Sequence, residues 1–378
     1  MIPVFEPDVS NEDIQAVIAA LRAGEISGTF GRHLADFERE FAAWVGRRFA
    51  VATTSGTTAL HLAMAALELP PGSEVLVSAS TNIASALALA HNRLVTVPVD
   101  SERRTWNLDL DLLPSLVAER TRAIMPVHLF GNPVDMERLM DFARERGLLV
   151  VEDCAESHGA TVRGRLSGAF GDLACFSFYA NKVITTGEGG MVVTDDPALD
   201  RKLRLLRNLG FTEPRFRHEV LGFNFRMPGL QAALGLSQLR RIDSIVESKR
   251  RLADWYTRRL RSVAGLQLPH EPEGFRHVHW MYALVVEPSF GISRDELAKR
   301  LKADGIETRT FFCPMNRQPC LGGEELMRFA PCPVAEELWE RGIYLPSSTR
   351  LREADVETIC ERIRHAPKGA GVTACASR

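Results

Sequence analysis

The chain has 378 residues, 45% hydrophobic and 25% charged, with a formal net charge of -2. That length exceeds what one hydrophobic core usually serves, so two domains are expected. The near-neutral balance excludes a broad cationic field for nucleic acid or an anionic membrane, so any phosphate-bearing partner must be gripped locally.

The opening "MIPVFEPDVSNEDIQ" has neither the basic nor the apolar region of a signal peptide, and no apolar run approaches a membrane span. Seven cysteines, at 154, 175, 313, 320, 332, 360 and 375, form no C-x-x-C pair. An odd, scattered set reads as reduced thiols in a cytoplasmic protein rather than a disulfide framework or zinc site.

From about residue 47 to 195 short β-rich runs alternate with helical patterns. "RRFAVAT" reads as a strand and "SGTTALHLAMAALEL" as a helix; "SEVLVSAS" and "NIASALALAHN" repeat the pair. "RLVTVPVD" and "TRAIMPVHL" are strands, "DMERLMDFARERG" a helix, and "LLVVEDC", "DLACFSF" and "GGMVVTD" complete the strand series. Apolar strands separated by helices predict a mainly parallel α/β sheet covered on both faces. The two-glycine turn before "MVVTD" allows one antiparallel connection.

"ALDRKLRLLRNLG" is helical, and residues 230–260 read as one long helix linking domains. Beyond it come a strand in "VHWMYALVVE", a helix in "SRDELAKRLKADG", a short strand in "IETRTFF" and a closing helix in "READVETICERIRHA", a small α+β domain. The expected division is 1–240, 241–367, and a frayed tail at 368–378.

Three features point to chemistry. At Ser55-Gly56-Thr57-Thr58 a strand ends and a helix begins. Free N–H groups, hydroxyls and the positive helix end can cradle a phosphate, although an ordinary N-cap explains the same residues. It is neither a Walker loop nor G-x-G-x-x-G. Glu152-Asp153 end an apolar strand, where α/β sheets bind ligands; an acidic group there can hold a cationic ring nitrogen or merely cap a helix. Lys182 follows Ser177 in a loop shaped by Gly187, Gly189 and Gly190. A lysine near a phosphate cradle and a strand-end aspartate can form a Schiff base with an aldehyde cofactor. Pyridoxal phosphate needs those three features. His277 and His279 lack ligand partners at metal spacing and read as structural, as does His61. No G-x-S-x-G elbow is present.

The motifs "GEISGTFGRHLADFEREFAAWVG", "SGTTALHLA", "VEDCAESHGA", "FSFYANKVITTGEGGMVVT", "GFNFRMPGLQAALGLSQL" and "GIETRTFFCPMNRQP" occur in that order over nearly the whole chain. The sequence resembles the DegT/DnrJ/EryC1/StrS family of sugar aminotransferases, and within it the GDP-perosamine synthase branch. The resemblance implies the fold type I architecture of pyridoxal phosphate enzymes, with a large domain and a small C-terminal α+β domain. It implies that Lys182 carries the cofactor, that Asp153 pairs with the ring nitrogen and that Glu156 lies near the ring hydroxyl. Gly56, Thr57 and Ser177 would hold the phosphate. Asn224 would reach it from a second subunit, giving a homodimer with shared sites. Ser27 would sit by the sugar.

L-glutamate would donate the amino group, through the pyridoxamine phosphate form, to the 4-keto group of a nucleotide-linked 4-keto-6-deoxyhexose. Lys182 would act as the base, which needs a lowered pKa. Asn82 stands where relatives usually carry an aromatic ring, and Asn316 where the perosamine branch often has histidine. Both bear on the choice of sugar. Amination of a 3-keto sugar or an inosose is the alternative, and a non-catalytic sensor the alternative of another class. The family's dehydratases replace the Schiff-base lysine with histidine, so Lys182 argues against that activity.

Overall fold

The computed structural model describes residues 1–214 and 216–367; the tail expected at 368–378 lies outside the described residues. Seven strands build the main sheet: β1 (Phe49–Thr53), β2 (Glu74–Ser78), β3 (Val95–Val99), β4 (Thr121–Met125), β5 (Leu149–Asp153), β6 (Leu173–Ser177) and β7 (Gly190–Thr194). Their order is β1-β7-β6-β5-β4-β2-β3. All are parallel except β7, which runs antiparallel to β1 and β6. Every residue of β2, β3, β6 and β7 is buried, as expected for a sheet covered on both faces. The link from β6 to β7 is therefore a wrapped loop rather than a crossover helix, and it carries Lys182.

Helices α1 (Asn11–Arg22), α2 (His33–Val45), α3 (Gly56–Ala66), α4 (Ala84–His91), α5 (Met136–Glu145), α6 (Pro197–Arg207) and α7 (Gly229–Arg240) accompany this sheet. Phe37 and Phe41 of α2 pack on Phe176 and Phe178, with ring centroids 4.9–5.4 Å apart across the contact. Such aromatic pairs supply the apolar area that holds α2 on the sheet.

The helix expected over 230–260 is instead two: α7 and α8 (Ile242–Leu260), broken at Arg241. No glycine or proline marks the break. The cause is tertiary. The Arg241 guanidinium binds Asp13 at 2.9 Å, and Ser237 and Gln238 donate to the same buried carboxylate at 2.6 Å each. That polar cluster outweighs helix propensity, which is a weak prior.

The C-terminal part contains strands β8 (Leu266–Gln267), β9 (Tyr282–Val286), β10 (Arg309–Thr310) and β11 (Gly342–Leu345), ordered β8-β9-β11-β10 and all antiparallel. Helices α8, α9 (Arg294–Ala303), α10 (Pro333–Arg341) and α11 (Glu353–His365) lie with it. The first residues join this part rather than the main sheet. Ile2 pairs with Ile306, and the Val4 carbonyl accepts from the Ser347 N–H at 2.9 Å. No described helix is long and apolar enough to cross a membrane.

Candidate active site

The site lies at the C-terminal ends of the sheet strands. At the end of β1 the chain turns into α3, where a capping box forms. Ser55 Oγ accepts from the Thr58 N–H at 3.1 Å, and Thr58 Oγ1 accepts from the Ser55 N–H at 2.9 Å. The N–H groups of Gly56 and Thr57, in the first turn, have no partner inside the helix. Ser177, the last residue of β6, closes this cradle. A Cβ on Gly56 would come within 2.6 Å of Ser177 Cβ, so only glycine fits. Gly56→Ala is expected to weaken pyridoxal phosphate binding by about 10–100-fold, the scale of a 1–3 kcal/mol overpacking penalty. A cofactor titration checks it; unchanged affinity would contradict the cradle.

At the end of β5, adjacent residues face opposite sides of the sheet. Glu152 points away from the cradle. It accepts from the N–H groups of Gly168, Phe170 and Gly171 at 2.7–2.8 Å and lies 3.2 Å from His128 Nε2. Burial pushes its carboxyl up, but His128 and those N–H groups outweigh it and hold the pKa below the ordinary value. The one described cluster close enough to hold a metal, His128, Glu152 and Cys154, is therefore already engaged in structural hydrogen bonds.

Asp153 points into the pocket. Oδ1 accepts from the Ala155 N–H at 3.1 Å and Oδ2 from Ser85 Oγ at 2.9 Å. Burial raises its pKa despite the pull of Ala155, Ser85 and Lys182. A buried carboxylate with its charge only partly offset suits a cationic ring nitrogen.

Lys182 Nζ lies 3.9 Å from Glu156 Oε1 and 4.1 Å from the centroid of the Trp280 ring. Its side chain is 11% exposed. Burial lowers its pKa, against the opposing pull of Glu156 and Asp153, which favours the free amine that nucleophilic and base chemistry needs. Glu156 accepts from the Phe130 N–H at 2.8 Å, and burial pushes it up to about 7. Phe130 holds φ at +53°, the left-handed region that costs a bulky residue energy. Its ring stacks near those of Trp280 and Phe312, which line the pocket.

A cavity of about 300 Å³ brings together Gly56, Thr57, Asn82, Asp153, Glu156, Ser177 and Lys182. Phosphate cradle, buried carboxylate and buried amine surround one space of ligand size, so the residues fit pyridoxal phosphate. Asn82 does more than line it: Oδ1 accepts from the Ala84 N–H at 3.0 Å, fixing the start of α4. Three expected residues lie outside this cavity. Ser27 Oγ pairs with Thr29 Oγ1 at 2.9 Å, exposed Asn224 bridges to Asn208, and Asn316 donates to Glu336 Oε1 at 2.7 Å. Ser85, Trp280, Phe312 and Tyr344 are site residues that sequence reasoning missed. A serine in an alanine-rich helix and aromatics in apolar runs give no local signal.

The chain matches the model of the DegT/DnrJ/EryC1/StrS aminotransferase family over residues 7–364. The chain belongs to this family. It is 41% identical to the GDP-perosamine synthase of Caulobacter vibrioides over 363 residues, covering 95% of this chain and 96% of that one. It is 38% identical to the UDP-N-acetyl-3-dehydro-alpha-D-glucosamine 3-aminotransferase of Acidithiobacillus ferrooxidans over 348 residues, covering 92% and 91%. The crystal structure of S. venezuelae DesV in complex with a ketimine intermediate superposes with a TM-score of 0.88 at 35% identity, covering 94% of each chain. The protein is thus a pyridoxal-phosphate-dependent aminotransferase with a mostly parallel, mixed central sheet.

Two buried histidines of this aminotransferase, His158 and His277, and half-buried His279 weaken its acid stability. Burial holds His158 and His279 down to about 3 and His277 well below its ordinary value. In the unfolded chain each titrates near 6.5. The stability they confer is full above that pH and is lost as pH falls towards their folded values, by up to ~1.4 kcal/mol per pH unit for each. Urea midpoints are therefore expected to fall between about pH 7 and about pH 5; equal midpoints would contradict this.

Proposed function

We propose that this aminotransferase moves the amino group of L-glutamate to the 4-keto group of a nucleotide-linked 4-keto-6-deoxyhexose, as its similarity to a GDP-perosamine synthase supports. The observation that carries the chemistry is Lys182 Nζ, held in a buried pocket with Glu156 and Trp280 beside the α3 cradle and Asp153. When bound, the cofactor supplies an electron sink that makes the Cα proton of the amino acid removable. The protein does the rest. Gly56, Thr57 and Ser177 would hold the phosphate. Asp153 would hold a negative charge against the ring nitrogen. Lys182 Nζ would take the proton from Cα of glutamate and, in the second half of the reaction, return one to the sugar carbon that receives the amine. Trp280 and Phe312 would keep water from the proton in transit.

On this reading Asn224 acts across a homodimer interface and Ser27 lies by the sugar. Phe30 and Leu221, on the same two segments, are 74% and 95% exposed, a surface that suits cover by a second copy. Light scattering checks this; an active monomer would contradict it. The six described cysteines are unbridged, in keeping with a cytoplasmic setting.

A second reading, amination of a 3-keto nucleotide sugar, is favoured by the 38% identity to the 3-aminotransferase. A panel decides between them. The enzyme is incubated with L-glutamate and, separately, 4-keto and 3-keto nucleotide sugars and an inosose, and products are read by mass spectrometry. Amination of the 4-keto sugar is expected. Amination of the 3-keto sugar alone supports the second reading; amination of only the inosose, or of nothing, overturns both.

A further inference from the structure

We propose that Ser85, itself held by Thr81, is a positioning residue that keeps the Asp153 carboxylate ionised and aimed at the cofactor's ring nitrogen. The inference rests on the role given to Asp153 above. Ser85 sits in the first turn of α4 and is fully buried; Thr81, just before that helix, is 3% exposed. Ser85 Oγ donates to Asp153 Oδ2 at 2.9 Å, and Thr81 Oγ1 lies 3.1 Å from Ser85 Oγ. A hydroxyl has one proton, and that of Ser85 is committed to the carboxylate. Thr81 is therefore the donor in the second contact. The chain Thr81→Ser85→Asp153 polarises in one direction, and each link strengthens the next.

The helix start that presents Ser85 is itself pinned. The Asn82 side chain accepts from the Ala84 N–H, and the Asn82 carbonyl accepts from the Ser85 N–H at 3.3 Å. Among the described residues, Ser85 is the side chain that hydrogen-bonds Asp153; the Ala155 N–H is the other donor. Other titratable groups that act on Asp153 or feel it are Lys182 and His128, which favour the ionised form, and Glu156, Cys154 and Cys175. None of these replaces a neutral donor aimed at one oxygen.

The consequence concerns one proton. Between a carboxylate and a pyridine nitrogen, the proton stays on nitrogen only while the carboxylate is the weaker base. A hydrogen bond to the ionised carboxyl lowers its basicity. Without Ser85 Oγ the carboxylate gains basicity and the proton passes to oxygen.

The test loads the full chain with pyridoxal phosphate labelled with ¹⁵N in the ring and reads the nitrogen shift at neutral pH, where the pair holds one proton. In Ser85→Ala the ratio of N–H to O–H forms is expected to fall by about tenfold, the scale of one hydrogen bond to a charged group, moving the shift towards that of the unprotonated ring. Thr81→Val, which keeps the volume and leaves Ser85 in place, moves it the same way by less. An unchanged shift in Ser85→Ala, whatever its melting temperature, overturns the inference. If Ser85→Ala does not fold, an unchanged shift in Thr81→Val overturns it. Asp153→Asn separates the two levels. If that variant leaves the nitrogen shift unchanged, the role of Asp153 itself fails. If it moves the shift and the other two do not, only the Ser85 inference fails.

Discussion

Lys182→Ala lowers kcat/KM for amine transfer by about 10⁴-fold, the upper range for a positioned general base. Two losses combine. The variant has no amine to hold the cofactor aldehyde, and no base near Glu156 and Trp280 to carry the Cα proton. The fold should survive, because removing a desolvated amine also removes the cost of burying it. Pyridoxal phosphate should still bind through Gly56, Thr57 and Ser177, though without a covalent link. Steady-state turnover with L-glutamate and the keto sugar gives the number. Retention of a tenth of the activity in a folded Lys182→Ala variant would contradict the role of this lysine.

Asp153→Asn is expected to cost about 10²–10³-fold in kcat, the scale of removing one preorganised electrostatic partner. The amide keeps the shape; its one oxygen can receive the Ala155 N–H, while its NH2 meets Ser85 Oγ as a donor. It cannot hold a charge against the ring nitrogen. Stability should move the other way. Burial already raises the Asp153 pKa, so the cofactor-free chain bears an unfavourable charge there. The cofactor-free variant should melt no lower than wild type, while its activity collapses. That split is the mark of a site residue carrying functional strain. Equal losses of stability and activity would mean that Asp153 serves the fold.

Much of the architecture was legible because the strands are short apolar runs with turn residues between them. "VLVS", "TVPV" and "CFS" are buried on both faces and read directly as a covered sheet. The antiparallel β7 was legible from the glycines before it. The N-terminal helices α1 and α2, the strand β11 and the helix α10 were not read, since their patterns are short or half polar. The break at Arg241 could not be read at all, because its cause is Asp13, remote in sequence.

The site divides in the same way. Gly56, Asp153 and Lys182 sit where strands end, and chain order alone suggested their roles. The resemblance assigned Asp153 rather than Glu152 to the ring nitrogen, and the strand's alternation sends Glu152 to His128 and Asp153 to the pocket. Ser85, Trp280 and Phe130 act through contacts with residues far along the chain, and nothing near them in sequence announces those contacts.

The most direct test is covalent mapping of the cofactor. The purified enzyme is loaded with pyridoxal phosphate, reduced with borohydride, digested and sequenced by mass spectrometry. The pyridoxyl group is expected on Lys182, and Lys182→Ala should carry none. A stable adduct on another lysine, or an adduct persisting in Lys182→Ala, would contradict the account.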